Sequence, residues 1–264
     1  MKIRKLIESF LCITIFLHLI VQPIAAQNGL GWYCVRNKDH KQPRADANMQ
    51  FIEKYSGYYI DHRHGDECEE KVVYLTFDAG YENGNVEKIL DTLGKEQVPG
   101  AFFVLENLIT RNTDLVCRMI KEGHTVANHT ASHKDMTKLG RDEFAAELKR
   151  LEDIFQEKTG SVMPKYYRPP EGKFNETSMK LADELGYKTI FWSFAYADWD
   201  NNQQMSRERA MTKILDNMHN GAVILLHPKT ETNAAILGDV IQALKAQGYR
   251  FGTLDELTGQ AVQS

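Results

Sequence analysis

The chain has 264 residues, 42% of them hydrophobic and 26% charged, and a formal net charge of −4. This length and composition suit one large α/β domain and exclude a disordered or fibrous chain. No run of basic residues points to nucleic acid, so that class of partner is excluded as well.

Residues 1–26 open with Lys2, Arg4 and Lys5, continue through an apolar stretch from Phe10 to Val21, and end in Pro23 and the small pair Ala25-Ala26. This pattern is that of a secretory signal cut after Ala26, so export across a membrane is expected. The apolar stretch is shorter than the ~20 residues that span a bilayer, but left uncleaved it would serve as a peripheral anchor. Cys12 lies inside the stretch, not after it, so a lipoprotein cysteine is not expected. Export leaves Cys34, Cys68 and Cys117 in a compartment that permits disulfides. If one pair forms, Cys34 and Cys68 are expected to form it, while three isolated thiols fit the spacing equally well and no zinc knuckle is present.

Residues 27–70 are polar and aromatic by turns without a sustained period, and form an irregular arm expected to wrap on the domain. Its aromatic clusters, Gly29-Leu30-Gly31-Trp32-Tyr33 and Ser56-Gly57-Tyr58-Tyr59, are expected to pack on that domain rather than to form a sugar platform. From Lys71 onward, short apolar runs alternate with segments of helical spacing. The predicted strands are Val72–Phe77, Ala101–Leu105, Thr125–Asn128, Tyr166–Arg168, Thr189–Ser193, Ala222–Leu226 and Arg250–Thr253. The predicted helices are Val86–Leu93, Thr113–Lys121, Arg141–Lys158, Glu176–Leu185, Ser206–Met218 and Ala234–Ala246. Glycines follow five of these helices, as left-handed stops require. The alternation predicts an α/β fold of parallel strands with right-handed crossovers, a barrel of about seven strands, fewer than the full eight units, over residues 71–264; an open doubly wound sheet is the alternative.

Barrels collect reactive groups where strands end, and five of the apolar runs end in such groups. Asp78 follows Val72–Phe77, His129 follows Thr125–Asn128, Arg168 follows Tyr166-Tyr167, Asp198 lies beyond Ile190-Phe191-Trp192, and His227 follows Val223–Leu226. Asp78 has the chemistry of a general base and His227 that of a general acid, with Asp198 holding its tautomer. Arg168, followed by two prolines that fix the backbone, is placed to keep Asp78 ionised. His129 and His133, four residues apart, would lie on one face of a helical turn as a metal-ligand pair, with Asn128, Thr130 and Ser132 as their hydrogen-bonding support. Each residue also has a plainer reading: a loop cap, a structural salt bridge, a satisfied buried histidine, a solvated helix face.

Taken together, the succession Thr-Phe-Asp-x-Gly, His-x-x-x-His, Arg-x-Pro-x-Gly, Asp-Trp and Leu-x-His between Lys71 and Leu257 resembles the polysaccharide deacetylases of carbohydrate esterase family four. The resemblance implies a distorted (β/α) barrel and metal-assisted removal of acetyl groups from N-acetylated sugars, with Asp78 as base, Arg168 positioning it, His227 as acid and Asp198 as its charge partner. It implies a divalent metal, zinc, cobalt or similar, on His129 and His133. It also implies Trp199 and Leu225 as walls of the acetyl pocket and the Glu171 N–H as oxyanion donor. Two positions depart from the family pattern. Ala79 replaces a third, aspartate ligand, so the metal is expected to be weakly bound, and Glu171 replaces an aromatic residue.

Thr76-Phe77-Asp78-Ala79-Gly80-Tyr81-Glu82-Asn83-Gly84, the arm and Arg168-Pro169-Pro170-Glu171-Gly172 resemble the subgroup that deacetylates N-acetylmuramic acid in spore peptidoglycan, which leads to muramic δ-lactam. The partners implied are peptidoglycan glycan strands, met by a monomer. The alternatives are a deacetylase of N-acetylglucosamine in peptidoglycan or chitin, and a glycan-binding protein that keeps the barrel without turnover.

Overall fold

The computed structural model describes residues 29–36 and 39–259; the expected signal segment, Cys12 and the cleavage point lie outside them. The framework is an all-parallel sheet. Its strands are β1 (Gly57–Tyr58), β2 (Lys71–Ala79), β3 (Ala101–Val104), β4 (Thr125–Asn128), β5 (Tyr166–Tyr167), β6 (Lys188–Ile190), β7 (Ala222–Leu226) and β8 (Tyr249–Phe251). The order is β7-β2-β3-β4-β5-β6-β1, with β8 paired to the start of β2. Two single-residue bridges, Ile60 to Ala222 and Phe194 to Ile224, bring the far edge back to β7, so the sheet curls into a distorted barrel. All seven strands expected after Lys71 are present, and the arm adds β1.

The helices are α1 (Asn85–Glu96), α2 (Glu106–Arg111), α3 (Thr113–Lys121), α4 (Arg141–Thr159), α5 (Glu176–Glu184), α6 (Arg207–Leu215), α7 (Glu231–Ala246) and α8 (Leu254–Leu257). The sequence reading missed α2 and α8, which are too short to show a helical period. Gly160 ends α4 in a left-handed conformation at φ 73°, where any other residue would be strained. Among the described residues, no helix is long and apolar enough to cross a membrane.

Strand alternation divides the core in two. On β2, Val73, Leu75, Phe77 and Ala79 face the helical layer, where they meet Val86, Ile89, Leu90 and Leu93 of α1 and Val240, Ile241 and Leu244 of α7. Val72 and Tyr74 point inward with Phe103, Ala127, Ile190 and Val223, and Leu254 and Leu257 of α8 join this interior cluster. The interior is therefore filled with side chains at the end where the strands begin. Thr76 and Asp78 continue the inward face toward the end where the strands stop.

The arm is more ordered than its sequence suggests. A 3-10 helix covers Ala47–Tyr55, Leu30–Gly31 pairs with Lys173–Phe174, and Cys34–Val35 pairs with Arg44–Ala45. Trp32 is buried, stacks on Phe191 at 4.5 Å and donates Nε1–H to the Trp192 carbonyl at 2.8 Å. Packing accounts for this aromatic, as expected. All three described cysteines are free, so the Cys34–Cys68 pair does not form. Cys34 directs its thiol at the Trp192 carbonyl, and burial pushes that thiol up to about 12. Cys68 is held elsewhere, its carbonyl accepting from Asn220 Nδ2.

Trp32→Ala removes a buried aromatic and a hydrogen bond together, and should destabilise the fold by about 3–5 kcal/mol in denaturant unfolding. Tyr33→Ala, at a neighbouring exposed ring, should leave the unfolding midpoint in place. Equal effects would show that the arm is not anchored through Trp32.

Candidate active site

The five expected strand ends converge on one cleft of about 790 Å³, lined by Asp78, His129, His133, Glu171, Trp192, Leu225 and His227 together with Tyr81, Trp199 and Lys229. Asp78 lies near the end of β2 on the inward face, and Ala79 falls on the opposite face within the outer core. The Ala79 methyl therefore offers the cleft no donor.

Arg168 follows β5 and is fully buried. Its Nη1 donates to Asp78 Oδ1 at 2.8 Å, Nε to the Ile190 carbonyl at 2.9 Å, and Nη2 to Thr76 Oγ1 at 2.9 Å and the Phe191 carbonyl at 3.2 Å. The guanidinium also lies over the Phe103 ring at 4.1 Å. Burial alone would raise the Asp78 carboxyl, but the Arg168 charge, followed by His129 and His227, outweighs it and holds Asp78 below its ordinary range.

His129 and His133 do come together, with ring centroids 5.1 Å apart. They do so on an extended loop, not on the expected helical turn; Thr130 and His133 both have positive φ. Side-chain bonds fix the loop instead of a helix. The Thr130 N–H donates to Asn128 Oδ1, the His133 N–H to Thr130 Oγ1, and Ser132 bonds the buried Glu147 through both its N–H and its hydroxyl. Thus Asn128, Thr130 and Ser132 hold backbone and not the imidazoles, which corrects the expectation. The ring partner of His129 is the Arg168 carbonyl, 2.9 Å from Nδ1. Burial pushes His129 down to about 4, so at neutral pH it is uncharged and Nδ1–H is the donor. Its Nε2 lone pair then faces Asp78 Oδ2 across 3.7 Å, two acceptors with no proton between them. A cation is the species such a gap accommodates.

Across the cleft, His227 follows β7. Its Nδ1 bonds Asp198 Oδ1 at 2.7 Å, and its backbone N–H donates to Asp198 Oδ2 at 2.8 Å. Asp198 is buried and also accepts from Asn233 Nδ2, whose carbonyl oxygen accepts in turn from Tyr196. Asn233 and Tyr196 escaped the sequence reading because neither stands next to a motif. Burial pushes His227 down, but the bond to Asp198, its charge and the charge of Asp78 outweigh this and hold the imidazole above its ordinary range. With Nδ1 committed to Asp198, Nε2 is the atom left for the cleft.

Leu225 is buried and lines the cleft. Trp199 lines the same cleft from its rim, 57% exposed, with its ring edge-on to His227 at 6.3 Å. Glu171 is also at the rim, with φ 55° and its carboxylate paired to Lys173. Around one opening the arrangement offers an ionised carboxylate, a gap suited to a cation and an imidazole whose protonated form Asp198 favours. That combination suits addition of water to an amide carbonyl and protonation of the departing nitrogen.

A sequence-family model described as polysaccharide deacetylase matches residues 65–190. The peptidoglycan-N-acetylmuramic acid deacetylase PdaA of Bacillus subtilis is 38% identical over 229 residues, 86% of this chain and 85% of that protein. The peptidoglycan-N-acetylglucosamine deacetylase PgdA of Listeria monocytogenes is 34% identical over 193 residues, 73% of this chain and 40% of that protein. The solved structure of Bacillus subtilis PdaA, a family 4 carbohydrate esterase, matches with a TM-score of 0.82 at 37% identity, covering 88% of this chain and 97% of that chain.

The His227 imidazole should titrate above the ordinary value of about 6.5 in an NMR pH series. In Asp198→Asn the opposing charge is lost while burial stays, so the midpoint should fall below that of the wild type by at least about one unit. An unchanged midpoint would remove Asp198 as the cause.

Proposed function

Because the chain belongs to the polysaccharide deacetylases of carbohydrate esterase family four, hydrolases of amide bonds, we propose that it removes the acetyl group from N-acetylmuramic acid in peptidoglycan. One observation carries the chemistry: Asp78, held ionised by Arg168, and His227, raised above its ordinary range by Asp198, open onto the same cleft. The sugar is supported by the relative of that activity, which this chain matches along most of both lengths.

In the proposed reaction, Asp78 accepts a proton from water as the water oxygen adds to the acetyl carbonyl carbon. Arg168 keeps that carboxylate ionised and fixes its direction. The Glu171 N–H at the rim donates to the oxyanion, Leu225 packs beside the acetyl methyl group, and Trp199 shields the opening. His227 Nε2–H then protonates the nitrogen as the C–N bond breaks, releasing acetate and a free amine. Asp198 holds the imidazole in the tautomer that makes this transfer possible. In spore cortex the freed amine closes onto the lactyl carboxyl of the same sugar with loss of water, giving muramic δ-lactam.

The residues fit the divalent metal that the family implies, because the His129 lone pair and the Asp78 carboxylate face each other with no proton between them. His129 and His133 would hold it, and when bound it would supply Lewis-acid polarisation of the acetyl carbonyl and the water. Among the described residues, no set of three or more His, Cys, Asp or Glu side chains is grouped as a metal centre. Catalytic sites of this kind normally use three protein ligands, so two imidazoles would hold the ion weakly.

Mass spectrometry of peptidoglycan incubated with the protein tests this reading at both sugars. Loss of 42 Da as acetyl for hydrogen should appear on muramic residues, and chelator should suppress it until divalent ion is restored. Asp78→Asn should fold and lower the rate by ~10² to 10⁴. Deacetylation confined to glucosamine residues would move the assignment to the other sugar, and none at all would favour glycan binding without turnover. We further propose export, on the basic and apolar pattern of residues 1–26. Protein recovered outside the membrane should begin at Gln27; Met1 in a cytoplasmic pool would overturn this.

A further inference from the structure

Lys229 lines the cleft two residues beyond His227 and has no part in the chemistry described above. Its backbone is fixed: the carbonyl accepts from Asn83 Nδ2 at 2.8 Å and from Asn85 Nδ2 at 3.0 Å. Both amides come from the segment that carries Tyr81, and the Lys229 ammonium lies 5.7 Å from the Tyr81 ring centroid. The ammonium thus lies over the Tyr81 ring at the cleft, on a backbone held by the two asparagines.

The other cations at this cleft are committed to acids. Arg168 is bonded to Asp78, and Lys173 Nζ lies 2.6 Å from Glu171 Oε2. Among the described residues, Lys229 has no carboxylate within ion-pair distance. Its charge reaches the reacting groups, since it opposes protonation of His227. A half-buried ammonium beside a catalytic imidazole makes that imidazole a weaker base and is a cost unless it meets an anion from the substrate.

N-acetylmuramic acid and N-acetylglucosamine differ by one group, the lactyl ether on C3, next to the amide on C2. With the amide at Asp78 and His227, that carboxylate is only a few bonds from the reacting centre, within the reach of a side chain that lines the same cleft. We propose that Lys229 is the specificity-determining residue of this site, its ammonium pairing with the lactyl carboxylate that N-acetylglucosamine lacks. The inference rests on the muramic acid reading of the same cleft.

The test uses the full exported protein and two peptide-free glycans, one with the free lactyl carboxylate and one with that group converted to the neutral carboxamide. The wild-type enzyme should prefer the carboxylate by roughly 10- to 100-fold in kcat/KM, the range that a hydrogen bond to a charged group supplies. The difference should lie mainly in KM. In Lys229→Met, which keeps the apolar stem, the preference should collapse toward unity, and in Lys229→Arg most of it should survive. Unfolding midpoints of both variants establish that they are folded. A folded Lys229→Met that keeps the wild-type preference overturns the role of Lys229 and leaves the muramic acid reading standing. A wild-type enzyme that turns over only glucosamine residues overturns the reading itself, and the inference with it.

Discussion

The buried guanidinium of Arg168 is the contact on which the site depends. Moving such a charge out of water costs on the order of several kcal/mol, so it persists only where its donors are satisfied. Here the four N–H bonds go to β2 through Thr76 and Asp78, and to the end of β6 through Ile190 and Phe191. The carbonyl of the same residue orients His129. One residue therefore joins three strand ends, sets the charge state of the carboxylate and fixes which imidazole nitrogen faces it. The two prolines after it restrict the backbone that carries this load.

From that anchor the cleft divides into two electrostatic halves. On one side, Arg168 favours the anion at Asp78 while burial keeps His129 neutral, which leaves two acceptors facing each other. On the other side, Asp198 favours the cation at His227 against the same burial. Two groups in one opening are thereby shifted in opposite directions, which favours one as proton acceptor and the other as proton donor. The filled barrel interior beneath them and the arm packed through Trp32 keep these partners in register.

The strands and most helices were legible from residues because their period is local. Val72 to Phe77 alternate between two buried faces, and α4 carries its apolar stripe from Phe144 to Phe155, about three turns, so each element declares itself within about a dozen residues. The five site motifs were legible for a related reason: each sits where an apolar run meets a polar residue. What failed was shape inside the motifs. His-Thr-Ala-Ser-His has helical spacing, yet Thr130 and His133 adopt positive φ, because hydrogen bonds to Asn128 and to the distant Glu147 outweigh helix propensity. Likewise α8 has only four residues, and its position inside the barrel comes from Leu254 and Leu257 finding Val72 and Tyr74, far away in the chain.

The sequence by itself determined the α/β alternation, the set of strand ends, and the chemical character of Asp78, His129, Arg168, Asp198 and His227, since these follow from residue type and nearest neighbours. Only the tertiary structure decided which of those groups touch, what protonation each holds, and that Ala79 faces the helices while Lys229 faces the cleft. Those outcomes depend on burial and on partners 29 to 90 positions away, as between His227 and Asp198 or Arg168 and Asp78. Through-space electrostatics falls with distance in the fold, and separation along the chain does not report that distance.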